Sequence, residues 1–506
     1  MGTFFNLAAF LKSEVKTQQC AARWLRTASR RVVAVVGDEE VLPKKQTRLT
    51  VPGTTSAEFP LQNDKTRKDA SSQKPRKKVF RHDENEHDQL ARLVTPLWRM
   101  PYSKQLEIKH KNLSRTLQKL GRQLQTAGVD FPVDPHNLPC PLRPVLPSPV
   151  VEQYRNKDEF SIRRGPGGEA KTVGFLVGSP SEGDPVVCVS PAQVVVCKES
   201  HRRVAQVFQE YIQRSPLPGC YETHFQGHWK HLVVRSNSAG QLMAIVVMHP
   251  QQLTPEELCR EKEALVEHFV RGPGSECGLS SLYFQACRHS RCSHAQAPFE
   301  LLHGQPHLEE TLGGLRFRIS PESFFQVNSA VAVYLYDAVR QLLNPGHQAS
   351  LLDVCCGTGT IGLTLARQLH SVCGLDVSAQ AIEDATYNAL LNGIDNARYK
   401  VGRAELLLPE IRNELFAEDL CAVVNPGRAG LSARGVRALR SYSHIKRLVY
   451  ISCQPEGAAM DNFVELCDSR PRARKVGPPF RLLLACPVDM FPQTRHCELV
   501  LLFGRS

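Results

Sequence analysis

The sequence predicts an α/β protein. A doubly wound, Rossmann-like domain occupies residues 311–506, a mixed α+β domain precedes it, and the N-terminus is basic and without a core. Three observations carry this expectation. From about Gly313 onward, short apolar runs alternate with helical patterns, as in parallel strands joined by helices. Residues 350–354 run into the turn Cys355-Cys356-Gly357-Thr358-Gly359 and then a helix, the unit that brings backbone close to a nucleotide-like ligand. Residues 41–82 carry eleven Lys or Arg against three acids and show no apolar period.

Composition narrows the partner class. The chain has 506 residues and a formal net charge of +13, which favours a polyanion such as RNA or DNA. No apolar stretch reaches the roughly 18 residues a membrane span needs, and no membrane partner is expected. The seventeen Cys are scattered, odd in number and include the neighbours Cys355 and Cys356, so reduced thiols are expected rather than a disulfide framework.

Taken in order, residues 1–37 hold Lys12, Lys16, Arg23, Arg26, Arg30 and Arg31 against the single acid Glu14, with Phe4, Phe5, Leu7, Phe10 and Leu11 as an apolar face. That is the composition of a mitochondrial transit peptide, and the matrix is the expected location. Residues 38–88 read as a basic linker. Between 89 and 126, Leu90, Leu93, Leu97, Leu106, Leu113, Leu117, Leu120 and Leu124 recur at helical spacing, with Pro96 and Pro101 dividing two helices. Lys104, Lys109, Lys111, Arg115, Lys119 and Arg122 are expected on the polar side. Residues 89–310 are assigned to this helical segment and a mixed α+β substrate domain. Within it, strands are predicted at 160–163, 171–178, 186–189 and 194–196. A hairpin turns at Asn237-Ser238-Ala239-Gly240, and a helix follows over 256–269. Cys277, Cys287, Cys292 and His294 lack the C-x₂-C pairs of a zinc site, so no metal is expected.

The C-terminal motifs carry the chemistry. Residues 372–376 form a second strand ending in Asp376, placed to hold two ribose hydroxyls. The turn lacks G-x-G-x-x-G, which points away from a dinucleotide. Ser320 to Asn328 precede a helix and bring Phe324, Phe325 and Gln326 toward a pocket. Asn425-Pro426-Gly427-Arg428 follows a third strand. Residues 448–451 form a buried strand that ends at Ser452-Cys453, where an exposed thiol can act as a nucleophile. The stretch 487–498 leads into the last strand, 499–503, and Glu498 at its start is a candidate general base.

Together these motifs resemble the RNA (uracil-5-)-methyltransferases across residues 150–506. The matching pieces are Tyr-Arg-Asn-Lys at 154–157, Phe-Phe-Gln-Val-Asn at 324–328, Asp-x-x-Cys-Gly-x-Gly at 353–359, Asn-Pro-x-Arg-Ala-Gly at 425–430, Ser-Cys at 452–453 and Phe-Pro-Gln-Thr-x-His-Cys-Glu at 491–498. The resemblance implies an S-adenosylmethionine cofactor held by Gln326, Asp376, Asn425, Gly357 and Thr360, with Cys453 as nucleophile and Glu498 as base. It implies RNA as substrate, most simply the T-loop of tRNA; a mitochondrial rRNA uridine fits the residues equally. A monomer is expected. Two positions depart from the pattern. Asn425 stands where many members carry Asp, and Cys355 where bacterial relatives carry Tyr. They motivate an alternative, a catalytically weakened RNA-binding or RNA-chaperone protein. A third reading, an amino-group methyltransferase, is weakened by Arg428 at the position of that loop's stacking aromatic.

Overall fold

Asn85 accepts the His87 amide proton and opens helix α1 (Glu86–Val94), so the element begins inside the stretch expected as linker. Pro101 then opens α2 (Tyr102–Thr126), whose Leu113, Leu117, Leu120 and Leu124 bury one stripe. The computed structural model describes residues 85–132, 137–178, 186–220, 226–412, 415, 419–470 and 476–505. The expected transit peptide and nearly all of the basic linker lie outside the described residues.

Seven strands make the first sheet: β1 (Lys157–Arg163), β2 (Thr172–Val177), β3 (Val187–Val189), β4 (Trp229–Ser236), β5 (Leu242–Met248), β6 (Leu279–Ala286) and β7 (Glu300–Gly304). Their order is β3-β2-β1-β4-β5-β6-β7, antiparallel except for the β5–β6 pair. Helices α3 (Glu199–Arg214) and α4 (Pro255–Val266) belong to this part. Thr254 and Glu257 form a capping box at the start of α4. On β1, Phe160 and Ile162 are fully buried and alternate with partly exposed residues. They share a core with Val204 and Phe208 of α3. By contrast β5 is buried along its whole length. Its Ala244 and Val246 join that same core, whereas Met243, Ile245 and Val247 pack into a second one.

That second core includes the hairpin β8 (Leu308–Leu312) and β9 (Leu315–Ile319) and the helix α5 (Ser329–Leu343). Gly313 and Gly314 both take positive φ at the hairpin turn, as a tight two-residue connection requires. Residues 310 and 311, the expected domain boundary, fall within β8.

The rest is an alternating β/α array: β10 (Ser350–Val354), α6 (Thr360–Ala366), β11 (Ser371–Asp376), α7 (Ala379–Leu391), β12 (Ala397–Val401), α8 (Ala404–Ile411), β13 (Leu420–Val424), α9 (Ala433–Ser441), β14 (Ile445–Ser452), α10 (Ala458–Cys467), β15 (Arg481–Val488) and β16 (Glu498–Gly504). The strand order is β12-β11-β10-β13-β14-β16-β15. The first five are parallel, and β16 runs antiparallel to both neighbours. This is the expected doubly wound α/β fold. β10 and β13 are buried on both faces, which is why they read as unbroken apolar runs. The strand order reverses between β10 and β13, opening the crevice where such sheets take ligands. Leu142 and Leu146 bridge to Ala485 and Val488, so the proline-rich connector covers the outer edge of β15.

Two expectations are corrected, and one helix had not been read from the sequence. Residues 194–196 follow a 3₁₀ turn, Pro191–Gln193, and form a turn instead of a strand; the β-branched run is too short to outweigh Pro191. Helix α3 fills a stretch for which no helix was expected. Cys287 and Cys292 are joined in a disulfide, with Cα atoms 5.7 Å apart, so not every thiol is free.

Candidate active site

The turn after β10 is built from left-handed backbone: Cys355, Gly357 and Gly359 have φ of 61°, 54° and 78°. At Gly359 a Cβ would sit 2.7 Å from the Tyr399 hydroxyl, so glycine is required there for space as well as conformation. A Cβ on Gly357 would meet nothing within 4 Å, so that residue faces open space. The Gly357 amide donates to Asp376 Oδ2 at 3.0 Å, and the Ser378 amide donates to Oδ1 at 2.9 Å. The carboxylate at the end of β11 is thereby fixed beside the turn. Val377, next to it, is 68 % exposed.

Thr360 opens α6 and its hydroxyl accepts from Tyr336 at 3.1 Å. The Asn425 amide donates to Val354 O at 3.1 Å, bringing the loop after β13 alongside the turn. Gln326 is buried, and its carbonyl accepts from Asn156 Nδ2 at 2.8 Å. An open glycine face, an anchored carboxylate for paired hydroxyls and an exposed apolar side chain fit an adenosine-bearing ligand. Behind the turn, Asp353 is fully buried; burial pushes its carboxyl up to about 7. Its Oδ2 accepts the Gly362 amide.

The candidate nucleophile and base come together one strand over. Ser452 of β14 pairs with Leu499 of β16, so the next rung sets Cys453 across from Glu498. Glu498 is buried, and burial alone pushes its carboxyl up to about 8. Cys453 is half-buried. Burial raises its thiol, the Glu498 charge adds to this, and Arg428 works in the opposite direction. The thiol faces a cleft of about 800 Å³ that Arg115, Arg155, Arg428 and Arg495 make basic.

A set of supporting residues was not expected from sequence. Lys109 is fully buried rather than on the solvent side. Its Nζ donates to Asp489 Oδ1 at 2.5 Å and to Phe491 O at 2.9 Å. Tyr102 donates to Asp489 Oδ2 at 3.0 Å. Gln105 and Gln493 exchange two hydrogen bonds, and Tyr154 donates to Pro492 O. Helix α2 therefore clamps the loop that delivers Glu498. A signal existed: Lys109 lies three residues after Leu106 and four before Leu113, inside the apolar stripe. Lys104, Lys111, Arg115, Lys119 and Arg122 are exposed as expected.

Comparisons with known proteins agree with this geometry. The family model described as tRNA (Uracil-5-)-methyltransferase matches residues 313–505. A Danio rerio protein, tRNA (uracil-5-)-methyltransferase homolog B, is 47 % identical over 83 % of this chain and 87 % of its own length. The Homo sapiens protein of the same name is 44 % identical over 87 % of this chain and 88 % of its own. Among solved structures, Pyrococcus abyssi tRNA (uracil-54, C5)-methyltransferase in complex with S-adenosyl-L-homocysteine superposes with a TM-score of 0.56. It is 24 % identical and covers 80 % of this chain and 84 % of its own, a likeness of fold.

Proposed function

This chain belongs to the tRNA (uracil-5-)-methyltransferase family, and on that premise we propose that it methylates C5 of a uridine in RNA with S-adenosylmethionine as methyl donor. One observation carries the reading. Cys453, the residue after β14, lies one rung beyond the Ser452–Leu499 pair and within electrostatic reach of Glu498, at the end of the sheet that also bears the glycine turn.

Uracil C5 is a weak nucleophile, so the ring must first be activated. Cys453 Sγ, as thiolate, adds to C6 and leaves an enolate with electron density at C5. S-adenosylmethionine, when bound, would supply the methyl group as an electrophile, its sulfonium S–CH3 bond breaking as the bond to C5 forms. Glu498 then takes the C5 proton, the C5–C6 double bond re-forms, and the C6–S bond breaks to return the thiolate. Arg428 stabilises the thiolate against the burial and the Glu498 charge that oppose it. The uridine must leave its stack to reach Cys453, and the basic cleft receives the surrounding backbone. Gln326, Asp376, Asn425, Gly357 and Thr360 would hold the cofactor, with the Asp376 carboxylate suited to accept from paired hydroxyls. Asn425 keeps a carbonyl acceptor where many relatives carry a carboxylate.

The substrate we favour is the T-loop uridine of mitochondrial tRNA, with mitochondrial rRNA as a second target; the transit-like composition of residues 1–37 supports that compartment. The mechanism is tested by incubating variants with a T-arm RNA and cofactor. Glu498→Gln is expected to accumulate a covalent protein–RNA adduct, whereas Cys453→Ala gives neither adduct nor 5-methyluridine. Normal methylation by Cys453→Ala would remove the nucleophile assignment. Nucleoside mass spectrometry of mitochondrial RNA from cells lacking the protein tests the substrate: unchanged 5-methyluridine in both tRNA and rRNA would end that part of the proposal.

A further inference from the structure

The first sheet holds a buried polar chain that the methylation chemistry does not use. Asp158 on β1 is 1 % exposed and its two oxygens are both engaged. Oδ1 accepts from Arg155 Nε at 2.7 Å, and Oδ2 lies 2.7 Å from His201 Nδ1. His201, fully buried on α3, places Nε2 2.9 Å from Ser236 Oγ. Lys198 Nζ donates to that same hydroxyl oxygen at 2.9 Å. Lysine can only donate, so the Ser236 proton is free to point at His201 Nε2. The network thus assigns the His201 proton to Nδ1, where it donates to Asp158. Asp158, His201 and the Ser236 hydroxyl are each satisfied, as the buried part of a polar network must be.

The chain Ser236–His201–Asp158 has the order of a hydrolytic triad, but its serine is only 4 % exposed and cannot meet a substrate. What it does is hold Arg155. The guanidinium is locked at Nε by Asp158 and at Nη2 by Lys157 O, 3.1 Å away. Among the described residues Nη1 has no protein partner. Arg155 lines the same cleft as Cys453, and its side chain is 31 % exposed. A fixed guanidinium with one free edge in a basic cleft suits an anionic oxygen.

We propose that Arg155 anchors an RNA phosphate beside the target uridine, with Asp158 and His201 as positioning residues that hold its guanidinium edge toward the cleft. This rests on the RNA-methylation reading. The preorganised fork fixes the backbone so that the flipped base arrives at Cys453 in register. It acts on substrate binding and leaves the cofactor site unaltered.

The test is RNA affinity as a function of salt, with full-length protein and a T-arm hairpin, between about 50 and about 200 mM salt. Arg155→Gln is expected to weaken binding about tenfold. It should also make the slope of log K against log salt shallower by about 0.7–0.9, the signature of one lost phosphate contact. Arg155→Lys should keep the slope, because it keeps the charge. The double variant Arg155→Gln/Asp158→Asn leaves no unpaired buried charge and decides the matter if the single variant misfolds. Cofactor affinity by calorimetry should stay at the wild-type value in all three. An unchanged slope in Arg155→Gln or the double variant overturns the assignment. Methylation of the same hairpin by the wild type is scored separately, so failure of the reaction reading and failure of the phosphate contact are distinct results.

Discussion

Glu498 is held in a setting that favours its neutral form. Its carboxyl titrates near 8 because it is buried, against an ordinary 4.5. Between those values the native state keeps a proton that the unfolded chain has lost, so this residue's contribution to stability is full below 4.5 and is lost as pH rises through about 8. Every tenfold difference in proton affinity between the two states corresponds to about 1.4 kcal/mol. Glu498→Gln should therefore be more stable than wild type by up to a few kcal/mol at pH 8 and nearly equal at pH 4.5. Urea melts at the two pH values check this; an equal difference at both would contradict it. Catalysis has the opposite need, since a base must be a carboxylate. Single-turnover methylation should rise with pH through about 8 as Glu498 ionises, and keep rising above pH 9 because burial holds the Cys453 thiol above its ordinary value. A rate flat from pH 6 to 9 would exclude both roles. In the absence of the Glu498 charge, the Cys453 thiol should titrate lower, read as faster alkylation of Glu498→Gln at alkaline pH.

Two connections position these groups, and each has a measurable weak point. The loop after β15 is clamped by α2 through the fully buried Lys109–Asp489 pair. Breaking one side leaves a charge without its partner, so Lys109→Met should cost about 3–5 kcal/mol. Lys109→Met/Asp489→Asn should recover most of that loss, because neither side is then charged. Equal stability of single and double variants in denaturant melts would show that the pair is not the clamp. The turn after β10 depends on Gly359, where φ is 78° and the Tyr399 hydroxyl lies 2.7 Å from any added Cβ. Gly359→Ala should destabilise by about 1–3 kcal/mol and weaken cofactor binding. Adding Tyr399→Phe should restore part of it, because the crowding atom is gone while the strained φ remains. Strict additivity of the two changes would exclude that crowding.

At the scale of the molecule, two sheets and a basic cleft divide the labour. The doubly wound sheet supplies the crevice proposed for the cofactor and the proposed nucleophile and base. The first sheet supplies Arg155 and, through Asn156, a hold on the Gln326 segment. We propose that the N-terminal stretch serves delivery to mitochondria, from its composition alone. Residues 1–40 fused to a fluorescent reporter should direct it to mitochondria, and a diffuse cytosolic signal would remove the import proposal.

Much of this was legible without coordinates, because its determinants are local. The glycine turn, the acid at the end of β11 and the strand ending at Cys453 each declare themselves within a dozen residues through apolar period and chain-breaking types. Helix α2 and the hairpin at Asn237 are legible for the same reason. What the tertiary structure alone decided involves partners far apart in sequence. Cys453 and Glu498 become neighbours because β16 inserts antiparallel beside β14. Lys109 is buried because Asp489, 380 residues away, receives its charge. β5 loses its alternation because cores lie on both of its faces. Local periodicity records which side of an element is apolar; it carries no record of which distant segment will cover that side or bring the opposite charge.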